Sequence, residues 1–209
     1  MTATWRLLMR GAKKPPPTIT NYASWGFTSS TSSQSFNVPV GSNLLVVFVY
    51  SAYDNVTSLT YNGVSLTQQE AYAPNSSMQM YVLENPATGT HTLSVTNDGS
   101  TANVWAAVAI ENYSSFVSAK STGTSITHQV SVATDPVGGL VLGACVTRYP
   151  NYVLTTAAGF STIVYVLNSD LPIQKRLSVI YKVPTLTTTT CEWTSTTSLD
   201  TQRMALSID

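Results

Sequence analysis

Two histidines, His91 and His128, are the side chains best placed by their ordinary pKa to act as a general base, so a hydrolase built on an activated hydroxyl would have to recruit one of them. Hydroxyls themselves are plentiful, with about 31 Thr and about 26 Ser. At the two-residue period of a strand, however, His91 shares a face with Leu93 and Val95, and His128 with Ile126, Val130 and Val132. That placement predicts rings packed against a sheet with their nitrogens satisfied. No Gly-x-Ser-x-Gly elbow, His-Glu-x-x-His pair or phosphate loop occurs. Glycoside hydrolysis would need two carboxylates about 5 to 9 Å apart, and Glu70, Glu84, Glu111 and Asp135 would have to meet from distant strands. Asp54-Asn55 and Asn97-Asp98-Gly99 carry calcium-type oxygen ligands without the alternating carboxylates of a strong loop, and read as turns. Cys145 and Cys191 are too few for a disulfide framework or a zinc knuckle and are expected as buried thiols. The chain is therefore expected to be non-enzymatic, with no catalytic residue, metal or cofactor.

Recognition by contact is the remaining chemistry. Eleven Tyr and four Trp supply the flat apolar faces on which sugars stack. Arg148-Tyr149-Pro150-Asn151-Tyr152 sets two aromatics and a cation in one loop, and Tyr50, Tyr53 and Asp54 occupy the corresponding loop earlier in the chain, so both sets are candidate glycan or partner loops.

Charge points away from nucleic acid. Ten basic residues balance ten acidic ones, charged residues make up 10% of the chain and hydrophobic ones 43%, and no apolar run reaches the length of a membrane helix. A soluble, folded protein is expected. Four of the ten basic residues, Arg6, Arg10, Lys13 and Lys14, precede Pro15-Pro16-Pro17, which leaves six basic against ten acidic in the remainder. Three prolines make a stiff extended spacer, and Trp5, Leu7 and Met9 alternate with polar neighbours as a strand added to another sheet would. Residues 1–17 thus read as a basic docking arm and spacer, with Trp5, Arg6, Leu7, Met9, Arg10, Lys13 and Lys14 as its contact residues. Met1 to Arg10 has no secretory-signal pattern.

The elements behind these residues are strands. Apolar, β-branched and aromatic runs recur about every ten residues between turn signals, the habit of an all-β sandwich. Asn43 to Tyr50 is almost continuously apolar, as a strand buried on both faces would be, and Gly138 to Val146 is its later counterpart. Leu59 to Leu66 alternates around Asn62-Gly63, the pair that tolerates a type I′ turn. Further strands are expected at Met78 to Leu83, His91 to Thr96, Asn103 to Ile110, Ile126 to Val132, Ser161 to Leu167, Leu177 to Val183, Thr187 to Thr194 and Arg203 to Ile208. The run Thr187 to Thr190 would need a neighbour to cover it.

The pattern repeats. Pro39-Val40-Gly41 returns as Pro136-Val137-Gly138, Ala107 to Glu111 as Ala205 to Asp209, and Met80 to Leu83 as Ile180 to Val183, at offsets of about one hundred residues. Residues 18–113 and 114–209 read as two degenerate copies of one strand order within an 18–209 domain, sharing a single core.

These residues carry a resemblance. The Pro-x-Gly turn before Leu44-Leu45-Val46-Val47, the stretch Val56 to Thr67, Met80 to Leu83 with Asn85-Pro86, Thr92 to Thr96 and Ala106 to Ala109 resemble a jelly-roll β-sandwich module of tailed-bacteriophage virion proteins, seen also in some extracellular bacterial proteins. Where such modules commonly have a Gly-Gly hairpin, this chain has Tyr61-Asn62-Gly63. The resemblance implies a jelly-roll-type antiparallel β-sandwich in a virion, assembled in the host cytoplasm. It also implies a head-decoration or tail-associated role, often as a homotrimer contacting major capsid or tail proteins. Abundant short hydroxyls and few charges suit permanent assembly, because little side-chain entropy is lost and few charges are desolvated. A glycan-binding module of a tail or extracellular protein is the alternative.

Overall fold

The computed structural model describes residues 14–51, 55–72, 77–99, 103–136, 138–147, 153–168 and 175–209, and every regular element among them is a strand. The first half contains β1 (Thr18–Phe27), β2 (Thr31–Val38), β3 (Ser42–Ser51), β4 (Val56–Tyr61), β5 (Val64–Ser65), β6 (Thr67–Ala71), β7 (Ser77–Glu84), β8 (Gly89–Asn97) and β9 (Asn103–Glu111). The second contains β10 (Phe116–Ala133), β11 (Leu140–Thr147), β12 (Thr155–Thr156), β13 (Ser161–Asn168), β14 (Lys175–Lys182) and β15 (Thr188–Ile208).

In the first half, an antiparallel sheet ordered β1-β9-β3-β7-β6 faces one ordered β2-β8-β4-β5, the wrap of a jelly roll. The β4–β5 connection is the two-residue turn expected at Asn62-Gly63, whose φ angles of 50° and 76° lie in the left-handed region those residues tolerate. The second half repeats the pairing with fewer, longer strands. Residues 116–125 of β10 pair with 199–208 of β15 as β1 pairs with β9, and residues 127–133 pair with 188–194 as β2 pairs with β8. Strands β11, β14 and β13 then follow the order of β3, β7 and β6, and the short β12 pairs β15 where β4 pairs β8. Between Ser125↔Leu199 and Thr127↔Thr194, β15 carries four residues with no ladder partner, and the doubled strand bends from one layer into the next there.

Alternation along the strands fills three cores where sequence reading expected one. Leu44, Val46, Phe48 and Tyr50 point from β3 towards the second half, and Leu45, Val47 and Val49 point from the same strand into the first sandwich. This double burial is why Asn43 to Tyr50 is continuously apolar. The first sandwich closes over Trp105, Tyr61, Phe36 and Leu93, and the second over Trp193, Cys191, Val141 and Ile180. Between the halves, Val104, Ala106, Val108 and Ile110 meet Leu140, Leu142, Met204 and Leu206 in the third core. A single sandwich would leave one face of β3 and β11 in water, and the facing halves remove both from it. Each fully buried aliphatic side chain contributes roughly 1.5–3 kcal/mol.

The two large sheets stack in opposite order, with β1 against β13, β9 against β14, β7 against β15 and β6 against β10. The halves are thus related by a pseudo-two-fold axis, which creates two equivalent seams, one at β1/β13 and one at β6/β10.

Candidate functional site

The two seams differ in chemistry. At β6/β10, the Lys120 ammonium lies 3.3 Å from the Glu70 carboxylate and donates to the Ala71 carbonyl at 2.7 Å, while Ser118 Oγ donates to the other Glu70 oxygen at 2.8 Å. Tyr72 follows β6 directly and sets its hydroxyl 2.5 Å from the Ser121 carbonyl and 2.7 Å from the Arg203 carbonyl. Burial pushes that phenol up to about 12, so its proton stays in place. Nearby, the Met78 amide donates to Gln202 Oε1 at 2.7 Å. This seam is clamped by polar contacts from both halves.

At β1/β13 the equivalent place is a groove of about 280 Å³ lined by Thr18, Ile19, Tyr22, Ser161, Thr162, Ile163 and Tyr181. Ile19, Ile163 and Tyr181 pack down on the central core, and Tyr22 stands 49% exposed at the rim. Tyr22 lies opposite Val108 in the ladder, as Ser118 lies opposite Leu206. Where one seam uses a hydroxyl to hold a carboxylate, the other presents a phenol ring. Sequence reading missed both seams because β1 and β6 gave no clean alternation. A register shift between Ile19 and Asn21 brings Ile19 and Tyr22 to one groove despite their odd spacing, and another lies between Thr162 and Val164 of β13.

Of the expected arm residues, Lys14 is described, and Trp5, Arg6, Leu7, Met9, Arg10 and Lys13 lie outside the described residues. Lys14, Pro15 and Pro17 line a shallow pocket with Ser114, Asp135, Gly138 and Asp209. Pro17 is buried, and the Pro16 carbonyl accepts from Asn112 Nδ2 at 3.3 Å. The proline spacer is therefore seated against the second half and the link between the halves.

Tyr50 corrects the loop reading. It belongs to β3, is 1% exposed and faces the central core, because the apolar alternation of β3 continues through it. Tyr53, Asp54, Arg148, Tyr149 and Tyr152 lie outside the described residues. Asp98 is committed to a turn: its two oxygens accept from the Asn55 amide at 2.7 Å and from Asn55 Nδ2 at 3.0 Å, and these bonds hold the carboxyl below its usual range.

His128 shares its buried face with Val130 and Val132 as its spacing predicts, but not with Ile126, which is 56% exposed where the register shifts between Ser125 and Thr127. His128 is buried, with Nε2 3.0 Å from Ser195 Oγ and Nδ1 3.0 Å from Thr201 Oγ1. Burial first, then the nearby Arg203 guanidinium, lowers its pKa and keeps it neutral. His91 is half-buried, with Nε2 3.0 Å from the Thr88 carbonyl and its ring edge-on to Tyr61. Both thiols are buried and free, and burial pushes each up to about 12. Cys191 fits only because residue 143 is glycine: a Cβ there would come 2.7 Å from Cys191 Sγ. Among the described residues no group of three or more His, Cys, Asp or Glu side chains could hold a metal ion.

No protein-family model, curated protein or solved structure matches the chain.

Proposed function

We propose that this protein is a non-enzymatic structural component of a tailed-phage virion, most specifically a head-decoration or cement protein. On this reading it assembles with copies of itself, as a trimer, and with capsid subunits. One observation carries the reading: a repeated jelly-roll strand order whose proline spacer is seated against the second half, with Lys14 exposed at its end. The outer strands add short hydroxyls suited to permanent contact, as in the rows Ser33–Ser94 and Ser131–Thr190, whose side chains bond across the ladder at 2.5 and 2.8 Å. The test is co-sedimentation with empty phage heads of the full chain and of a chain lacking residues 1–13. Binding that requires those residues supports the reading, and a full chain that is monomeric and indifferent to heads overturns it.

A glycan-binding module is the second reading. A cleft of about 280 Å³ between the β4–β5 hairpin and β6/β7 is lined by Thr57, Ser58, Ser65, Gln68 and Tyr81, which offer sugar-type hydrogen bonds. It ranks second because the Tyr81 ring is buried and has no free face for a sugar to stack upon. Polysaccharide binding that survives loss of residues 1–13 and fails in Gln68→Ala would favour it.

A further inference from the structure

Strand β15 bends where Ser195, Thr196, Thr197 and Ser198 have no partner in the ladder, and the His128 ring ties the two sides of that bend together. Its Nε2 is 3.0 Å from Ser195 Oγ, where the bend begins, and its Nδ1 is 3.0 Å from Thr201 Oγ1, on the limb beyond it. The direction of both bonds follows from a third. Ser195 Oγ donates its one hydrogen to the Thr197 carbonyl at 2.6 Å, so towards His128 it can only accept. The neutral imidazole therefore carries its proton on Nε2, and Nδ1 is left to accept the hydrogen of Thr201. His128 and Thr201 are 0% and 1% exposed, so water replaces neither bond without movement of the chain.

Among the described residues no carboxylate faces that ring. His128, Val130 and Val132 project from β10 into the second sandwich. Arg203 stands two residues beyond Thr201 on the same face of β15, and Arg176 and Lys182 share the face of β14 that carries Ser178 and Ile180. Cys145 of β11 and Cys191 of β15 add thiols, and β12 adds only Thr155 and Thr156. Asp200 turns the other way, beside Tyr50 and Val146, and Glu192 is bonded to Gln129 on the outer face.

We infer that His128 is a proton-sensitive latch: protonation at Nδ1 releases Thr201 and opens the bend between Thr194 and Thr201 while the remainder of β15 stays paired. A proton on Nδ1 meets the Thr201 hydroxyl hydrogen head-on and adds a positive charge to an interior that already holds Arg203. Opening there disturbs little, since Thr196, Thr197 and Ser198 are exposed and without ladder partners. The first half has no such latch. Its corresponding turn is held by the Asp98 carboxylate on Asn55, and His91 bonds the Thr88 carbonyl at the opposite end of β8. Once freed, the imidazole regains its ordinary pKa of about 6.5. With the closed ring holding no proton, the open state is then favoured about thirtyfold more at pH 5 than at pH 7.5.

The experiment is amide hydrogen exchange of the full chain, read by mass spectrometry on a peptide covering residues 193–201 and corrected for the intrinsic effect of pH. Protection of that peptide is expected to fall at least tenfold from pH 7.5 to pH 5, equally with and without low urea. The first-half hairpin from Leu59 to Leu66 should change less than twofold. His128→Asn keeps an N–H for Ser195 and an oxygen for Thr201 but does not titrate, so its 193–201 peptide should also change less than twofold. An equal fall in parent and variant, no fall in the parent, or a fall that grows with urea as global unfolding does overturns the inference. If His128→Asn does not fold, the imidazole nitrogen shifts of the parent decide. They should place the neutral proton on Nε2, and a proton on Nδ1, or a ring that titrates with protection at 193–201 intact, overturns the inference.

Discussion

Trp105 and Arg203 occupy the same position in the two halves. Trp105 stands in the ladder between Trp25 of β1 and Val49 of β3, and Arg203 stands between Ser121 of β10 and Cys145 of β11. The first half fills the site with aromatic packing, the Trp25 and Trp105 centroids lying 4.8 Å apart. The second half buries a guanidinium at 4% exposure, with Nε donating to the Ser121 carbonyl at 3.2 Å.

The two substitutions should therefore differ in cost. Trp105→Ala should lower unfolding free energy by about 3–5 kcal/mol, the usual loss for a buried large aromatic. Arg203→Met should change it by less than about 1.5 kcal/mol in either direction, because a buried charge is removed and the Ser121 carbonyl keeps the Tyr72 hydroxyl as donor. Urea unfolding of the two variants measures this. A loss in Arg203→Met equal to that in Trp105→Ala would mean that the hydrogen bonds of the guanidinium outweigh the cost of burying its charge.

Gly143→Ala should destabilise the second sandwich by about 1–3 kcal/mol, the cost of overpacking a filled core. The new Cβ would meet Cys191 Sγ at 2.7 Å, Cys191 Cβ at 2.9 Å and Trp193 Cη2 at 3.0 Å, with no flexible chain end to yield. Adding Cys191→Ala removes the nearest of these atoms and should recover part of the loss in the same denaturation assay.

The thiols should be silent in the folded protein. With both pushed up to about 12 and buried, an aromatic disulfide reagent at pH 8 should titrate neither Cys145 nor Cys191 until guanidinium is added, and then both. Rapid reaction of the native protein would contradict the packing around Gly143.

Alkaline pH should unfasten the clamped seam. Tyr72 and Tyr81 are raised from 10.0 to about 12, in both cases mainly by burial. Above pH 10 the unfolded chain releases protons that the folded chain retains, so the contribution is full below about pH 10 and is lost as pH rises towards 12. The urea midpoint should fall between pH 9 and pH 11, and Tyr72→Phe should flatten that slope while costing about 1 kcal/mol at neutral pH for its hydrogen bond.

His128 acts at the other end of the scale. Its folded pKa is lowered from 6.5, so its contribution is present above that value and is lost as pH falls below it. Stability should decline as the medium is acidified from pH 7 to pH 5, and His128→Asn should reduce the slope; an unchanged slope would mean that other groups set it.

Much of this was legible from residue order alone. Continuous apolar runs marked β3, β9 and β11, and Asn62-Gly63 marked its turn, because double burial and left-handed backbone each restrict residue type severely. Strands β1 and β2 were not foreseen: β1 is an edge whose parity changes at Thr20, and β2 is mainly hydroxyl-bearing. Thr187 to Thr194 and Arg203 to Ile208 read as two strands but belong to one, since the hydroxyl run 195–198 that resembles a loop is where the long strand bends. Correspondence with the Arg148–Tyr152 stretch assigns Tyr50 to a loop although the apolar run of β3 ends on it, and its ladder partner Met78 and its parity keep it inside. The seams were illegible, because contacts such as Tyr72 to Arg203 join residues 131 apart in the chain.

The inequality of the seams gives the molecule a polarity that its duplication would otherwise cancel. One seam is fastened by an ion pair and hydroxyl contacts and the other rests on apolar burial, so added salt weakens the first and spares the second. The halves would then part as a hinge opens, from the β6/β10 side, and not evenly along their length.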